Sequence, residues 1–160
     1  MVFESNNKKI KICSSVLHII KKYLQNDIKS CEAGGVLIGR ENLSNSNLII
    51  EFATEPMPAD KRGRYEFNRK DKGHICFYKK LYEENNRVYA YIGEWHTHPE
   101  AIPSYSIIDF ANWKKIGKNA SGNYAQIHLI AGYEGLRLWQ FSSSTQKTIE
   151  LVTIMWNELN

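Results

Sequence analysis

Apolar positions along this chain follow two rhythms. Residues 14–25 place Val16, Leu17, Ile19, Ile20, Tyr23 and Leu24 at the spacing of an amphipathic helix, with a serine available as N-cap. His18 lies beside that stripe and reads as a surface or satisfied core histidine. Residues 33–39 form a glycine-rich apolar run that predicts a buried strand, and 47–53 its hairpin partner across a polar turn. Pro56 and Pro58 mark a loop, with a short strand predicted at 64–68. Helical spacing returns over 71–84, with Ile75, Tyr78, Leu81 and Tyr82 on one side. Residues 87–95 predict an aromatic strand, 99–105 a proline-containing loop and Ser106–Ile116 a helix. Strands are predicted at 124–132 and 136–141, and 148–156 reads as strand or helix. No repeat, low-complexity stretch or linker interrupts the series. The expectation is one domain over residues 1–160, of α/β or α+β class, with a central, mostly antiparallel sheet carrying packed helices.

Composition narrows the class. Apolar residues make up 42% and charged residues 24% of 160 residues, ordinary for a soluble globular domain and wrong for a disordered one. No apolar run approaches the ~20 residues of a membrane-spanning helix, and Met1–Lys9 does not read as a signal peptide. Cys13, Cys31 and Cys76 are scattered, without C-x-x-C spacing, which argues against a disulfide framework and a cysteine zinc cage. The expected setting is a reducing cytoplasm, with no membrane partner. The net charge of +4 resides in residues 61–72, which hold six basic and two acidic side chains. Such a patch is a solvated edge or a steering surface for an acidic partner. With a modest charge and no helix-turn-helix ahead of the domain, nucleic acid is not the expected partner.

The chemistry concentrates late in the chain. His96 and His98 are two apart at a strand end, so both imidazoles point to one face and Thr97 to the other. Pro99 ends strand pairing and leaves the pair at a rim. Ser106 and Asp109 have the S-x-x-D spacing of a capping box. A helix starting there and facing the histidines aims Asp109 at the same point. Two histidines, a carboxylate and an open fourth position make a catalytic rather than a structural zinc set. Hydrolysis also needs a general base. Glu94 shares strand parity with the histidines about 7 Å back, a separation that suits support from behind; Glu32 opens the glycine-rich strand. On the residues alone the two stay open.

Glu32, then His96-Thr97-His98-Pro99, then seven residues between His98 and the Ser106-x-x-Asp109 pair, resembles the JAMM/MPN+ metalloprotease motif. Gly34-Gly35 after the glutamate and Gly93-Glu94-Trp95 before the first histidine match its surroundings. The resemblance implies a cytidine-deaminase-like α/β/α sandwich. It implies that His96, His98 and Asp109 bind one Zn²⁺ per chain. Glu32 becomes the base that activates water and then protonates the leaving amine, and Ser106 the donor to the tetrahedral oxyanion. The compact chain looks most like the small bacterial deconjugating peptidases of CBASS antiviral operons, encoded beside a cGAS-like nucleotidyltransferase and an E1–E2 fusion protein. The implied substrate is a ubiquitin-like tail, the C-terminus of the conjugated nucleotidyltransferase. Other bacterial ubiquitin-like or sulfur-carrier systems, and RadC-like DNA-associated relatives, share the motif.

Other features are weaker. Gly34 and Gly39 half-match a phosphate loop that lacks its lysine, and strand alternation turns Cys31 away from Glu32. Tyr89, Tyr91 and Trp95 share one parity and read as core. The segment 56–68, with Lys61, Arg62 and Arg64, is expected to be mobile until it grips the tail and meets acidic groups on the conjugate.

Overall fold

The computed structural model describes residues 1–5, 8–119 and 125–159. In chain order the elements are β1 (Val2–Ser5), β2 (Lys8–Ile12), α1 (Ser14–Lys21), β3 (Gly34–Glu41) and β4 (Leu48–Ala53). A hairpin of β5 (Lys61–Gly63) and β6 (Glu66–Asn68) follows, then α2 (Gly73–Glu84), β7 (Ala90–Thr97) and α3 (Ile107–Asn119). The chain closes with β8 (Gln126–Ala131), β9 (Gly135–Ser142), β10 (Lys147–Met155) and a 3-10 turn at Trp156–Glu158. Tyr124, where the eighth strand was expected to begin, lies outside the described residues. Among the described residues no helix is long and apolar enough to cross a membrane.

Eight strands form one sheet in the order β1-β2-β4-β3-β7-β8-β9-β10. Only β2/β4 and β7/β8 pair in parallel; the other neighbours are antiparallel, as expected. Helix α1 covers one face. Its Val16, Leu17 and Ile20 pack with Ile92, Trp95, Ile127, Leu129 and Leu138 into the main core. On the opposite face Trp113 of α3 packs with Ile130, Trp139 and Phe141, and Tyr78 of α2 meets Tyr91 edge-on with ring centroids 6.2 Å apart. The result is an α/β/α sandwich, its rows of side chains alternating between the two cores.

The structure departs from the sequence expectation at definite places. Strands β1 and β2 were not anticipated, because Lys8, Lys9 and Lys11 hide a period-2 pattern whose apolar members, Ile10 and Ile12, are fully buried. The segment expected as one strand at 64–68 is half of a hairpin with its turn at Arg64–Tyr65. The ambiguous C-terminal segment is a strand, held in register by β9. The parity of Tyr89, Tyr91 and Trp95 breaks because β7 carries a bulge: Leu37 pairs with Gly93 but Ile38 with Tyr91. An extra residue reverses the alternation. Tyr91 therefore shares a face with Glu94, to which its hydroxyl donates at 2.8 Å, while Trp95 turns towards α1. Gly93, beside the bulge, lets β8 approach closely, since a Cβ there would collide with the Ile127 carbonyl oxygen.

Candidate metal centre

His96 is the penultimate residue of β7, fixed between Gly34 of β3 and Ile130 of β8. Thr97 turns to the other face, where its buried hydroxyl accepts the Ala33 N–H at 3.0 Å. His98 follows just past the strand, its N–H donating to the Ala131 carbonyl at 3.0 Å. The backbone alternation thus delivers two imidazoles to one point, with Nε2 atoms 3.0 Å apart. Asp109 arrives from α3. The Ser106 N–H donates to Asp109 Oδ2 at 2.6 Å and the Asp109 N–H to Ser106 Oγ at 3.1 Å, a formed capping box.

The Asp109 carboxylate lies 3.1 Å from His96 Nε2 through Oδ1 and 3.5 Å from His98 Nε2 through Oδ2. One ligand atom from each residue fits within 4.8 Å of the others. Tetrahedral Zn²⁺ with bonds of about 2.0–2.1 Å sets its ligand atoms about 3.3 Å apart, so this spacing and donor chemistry fit a divalent cation. The electrostatics reflect how closely the three groups crowd one another. Burial opposes ionisation of Asp109, but the His96 hydrogen bond and charge, with the Ser106 donors, hold its carboxyl well below the usual range. Burial and the neighbouring His96 charge lower His98, which keeps a lone pair available. Burial also disfavours charged His96, yet the Asp109 hydrogen bond and charge outweigh it and raise the group.

A cleft of about 900 Å³ opens over the cluster. Glu32 lines it from the segment leading into β3, and is only 6% exposed. Burial pushes its carboxyl up to about 7, against the pull of His96 and with the Asp109 charge adding to the rise. Among the described residues no hydrogen bond or ion pair occupies that carboxylate. Its backbone, by contrast, is held twice by the hairpin: the Glu32 N–H donates to the Gly63 carbonyl at 2.7 Å, and Arg62 Nε donates to the Glu32 carbonyl at 2.8 Å. Glu94 lies on the cleft floor, where its Oε1 accepts from Arg69 Nη2 at 2.6 Å and Nε at 2.9 Å, and from Tyr91. Tyr65 and Phe67 of the hairpin face Ile108, Trp113 and Ile116 of α3 across the opening.

The three basic residues expected to grip substrate take different places. Arg62 is exposed but lies back along the surface, 5.4 Å over the Tyr23 ring and bonded to the Glu32 carbonyl. Arg64 donates to the Asp27 carbonyl at 2.9 Å. Lys61 pairs with Glu66 at 2.9 Å and remains exposed. The segment expected to be mobile until it grips substrate forms a hairpin in this structure, and Tyr65, Glu66 and Phe67 of it line the cleft. Arg69, the partner of Glu94, went unnoticed in the sequence; the basic run contained it, but nothing local marks it as the member that turns into the cleft.

Residues 16–142, which hold Glu32, both histidines, Ser106 and Asp109, match the family described as prokaryotic homologs of the JAB domain. The chain belongs to that family. Several relatives of this JAB domain are named CD-NTase/cGAS isopeptidase. That of Pseudomonas aeruginosa is 29% identical over 146 residues, 91% of this chain and 91% of its own. That of Escherichia coli is 36% identical over 104 residues, 65% of each chain, and that of Vibrio cholerae 28% identical over 145 residues, 91% of this JAB domain and 86% of its own. A solution structure of a protein from Desulfitobacterium hafniense superposes with a TM-score of 0.60 over 88% of each chain at 16% identity, a likeness of fold.

Proposed function

We propose that this JAB domain is a zinc-dependent isopeptidase. It hydrolyses the bond joining a ubiquitin-like tail, the C-terminus of a cGAS-like nucleotidyltransferase, to its target, in a bacterial antiphage system whose E1–E2 fusion protein forms that bond. The reading is carried by one observation: the His96, His98 and Asp109 donors converge in the cleft that the otherwise unengaged Glu32 carboxylate also lines. The names of the relatives support the substrate class.

The zinc ion would be held by His96, His98 and Asp109, where it supplies Lewis-acid polarisation of the scissile carbonyl and a lowered pKa for water. Glu32 takes a proton from the attacking water and returns it to the leaving amine. Burial raises the proton affinity of this carboxyl in the metal-free protein, and its freedom from other partners leaves it able to take up and release that proton. Asp109, anchored by the capping box, stays anionic and so presents a charged donor beside the two imidazoles. The Ser106 hydroxyl donates to Asp109 Oδ2 at 2.6 Å, so it reaches a substrate oxyanion only by swinging its proton away from that carboxylate. A donor that turns onto the oxyanion contributes in the transition state rather than the ground state. Tyr65, Phe67 and Ile108 shield the tail from water while the exposed Lys61 meets its acidic groups.

The test is a purified conjugate of the nucleotidyltransferase tail with a lysine-bearing target. Zinc-loaded protein is expected to release both partners, and the Glu32→Gln protein, equally zinc-loaded, to release neither. Cleavage that survives chelation and dialysis would falsify the zinc-dependent mechanism.

A further inference from the structure

The hairpin that holds Glu32 is itself held by a buried polar string that the cleft does not use. Asp60 stands at the start of the segment and receives hydrogen bonds from both of its ends: the Met57 N–H at 2.8 Å on one side, and the Lys70 and Asp71 N–H groups at 2.9 Å on the other. Asp71 returns the tie by accepting the Ala59 N–H at 3.0 Å. His74, at the start of α2, places Nε2 at 2.8 Å from Asp60 Oδ2 and Nδ1 against the Thr54 hydroxyl. The side chains of His74 and Asp60 are fully buried.

Thr54 carries the string into the sheet. Its hydroxyl oxygen accepts the Val36 N–H at 2.9 Å, and its carbonyl accepts the Trp95 indole N–H at 2.9 Å, one residue before His96. Both ring nitrogens of His74 are thus partnered, one by the Thr54 hydroxyl and the other by the Asp60 carboxylate. The order Thr–His–Asp is that of a nucleophilic triad, but Thr54 is 4% exposed and buried in the sheet, so it meets no substrate. A buried polar string paired at both ends fixes geometry because any displacement that breaks a pair leaves a buried polar group unsatisfied.

We propose that Asp60, His74 and Thr54 are positioning residues: a clasp that sets the β5–β6 hairpin over the cleft, and so sets the wall that grips the substrate tail. The clasp rests on the isopeptidase reading only for its effect on catalysis. Its mechanical role stands on the hydrogen bonds themselves.

The experiment compares the wild-type full chain with His74→Leu, which removes both bonds, and His74→Gln, whose amide spans the same two partners. Amide hydrogen exchange and steady-state cleavage of the tail conjugate are measured on zinc-loaded protein. For His74→Leu, exchange at Glu32 and Arg62 is expected to quicken at least tenfold while Leu129 and Ile130 of β8 keep wild-type rates. KM is expected to rise about tenfold, with kcat falling less than threefold and zinc content unchanged. His74→Gln is expected to restore both readouts. Should His74→Leu fail to fold, Thr54→Val removes the Nδ1 partner and is expected to give the same pattern at about threefold. Exchange that quickens equally in β8, a loosened hairpin with unchanged KM, or a Gln variant no better than Leu overturns the clasp. A wild-type chain that cleaves no conjugate overturns the functional reading instead, and the exchange pattern alone then decides whether the string holds the hairpin.

Discussion

Arg62 Nε donates to the main-chain carbonyl of Glu32 at 2.8 Å, across a gap of thirty residues in sequence. The side chain expected to reach out to an acidic partner instead secures the backbone of the proposed base. Its guanidinium also lies over the Tyr23 ring, where an exposed cation–π contact contributes roughly 0.5–1 kcal/mol. Arg62→Ala is therefore expected to lower kcat by about tenfold and thermal stability by about 1–2 kcal/mol. Charge reversal at the exposed Lys61 is expected to raise KM and leave kcat alone, the pattern of lost uniform binding. Side-by-side kinetics of the two variants check the division, and identical effects would contradict it.

The proposed zinc site draws on three donors. His96→Ala/His98→Ala protein is expected to retain no zinc by elemental analysis after exhaustive dialysis, against one equivalent in the wild type. Asp109→Ala loses a donor and its own half of the capping box, so weaker metal retention is expected with about 0.3–1 kcal/mol of lost helix stability.

Glu32 and Glu94 differ in what they can do. Glu94 is spoken for by Arg69 and Tyr91, whereas the Glu32 carboxylate is free to accept a proton. Glu32→Gln is expected to keep zinc and fold while turnover falls by roughly 10²–10⁴-fold. Glu94→Gln is expected to cost less than tenfold, mainly through KM. Turnover assays at matched zinc content compare them, and a reversed order removes Glu32 from its role.

Metal-free protein offers a pH test. The Glu32 pKa is raised by burial from 4.5 to about 7, so the folded state binds this proton more tightly than the unfolded chain. Its contribution to stability is greatest below pH 4.5 and is lost as pH rises to about 7. Glu32→Gln removes that loss. The variant is expected to exceed metal-free wild type by roughly 2–3 kcal/mol at pH 8 and to match it at pH 4, as read from denaturant unfolding. An advantage that does not change with pH contradicts the assignment.

Gly34 allows the hairpin to lie against the site. A Cβ there would fall 2.6 Å from the Phe67 ring and 2.5 Å from the Trp95 carbonyl oxygen. Gly34→Ala is expected to cost about 1–3 kcal/mol and to raise KM by displacing Phe67 from the cleft wall, as thermal unfolding and kinetics on one preparation measure.

Much of the centre was legible before any coordinates because its determinants are local. Period-2 alternation alone brings His96 and His98 to one face, and the Ser106-x-x-Asp109 spacing alone announces a capped helix start. The helical stripe at Val16, Leu17 and Ile20 and the apolar run at Val36–Ile38 likewise carry their partnerships in their own periodicity. The choice between Glu32 and Glu94 was not local. The proposed assignment of Glu32 is supported by which carboxylate Arg69 reaches, and by the burial of Glu32 beside a hairpin that joins it across the chain. The parity of Tyr91 depended on a bulge that only the pairing of β7 with β3 reveals. The fate of the basic segment turned on the same principle. Charge in a sequence reads as solvent exposure, but Arg62 and Arg64 found backbone carbonyls, and Asp60 and His74 found each other, only once strands distant in sequence had been brought together. Sequence determined what each short segment could present to its surroundings; tertiary packing decided which of those groups remained free for chemistry, because burial and hydrogen-bond partners are properties of neighbours in space.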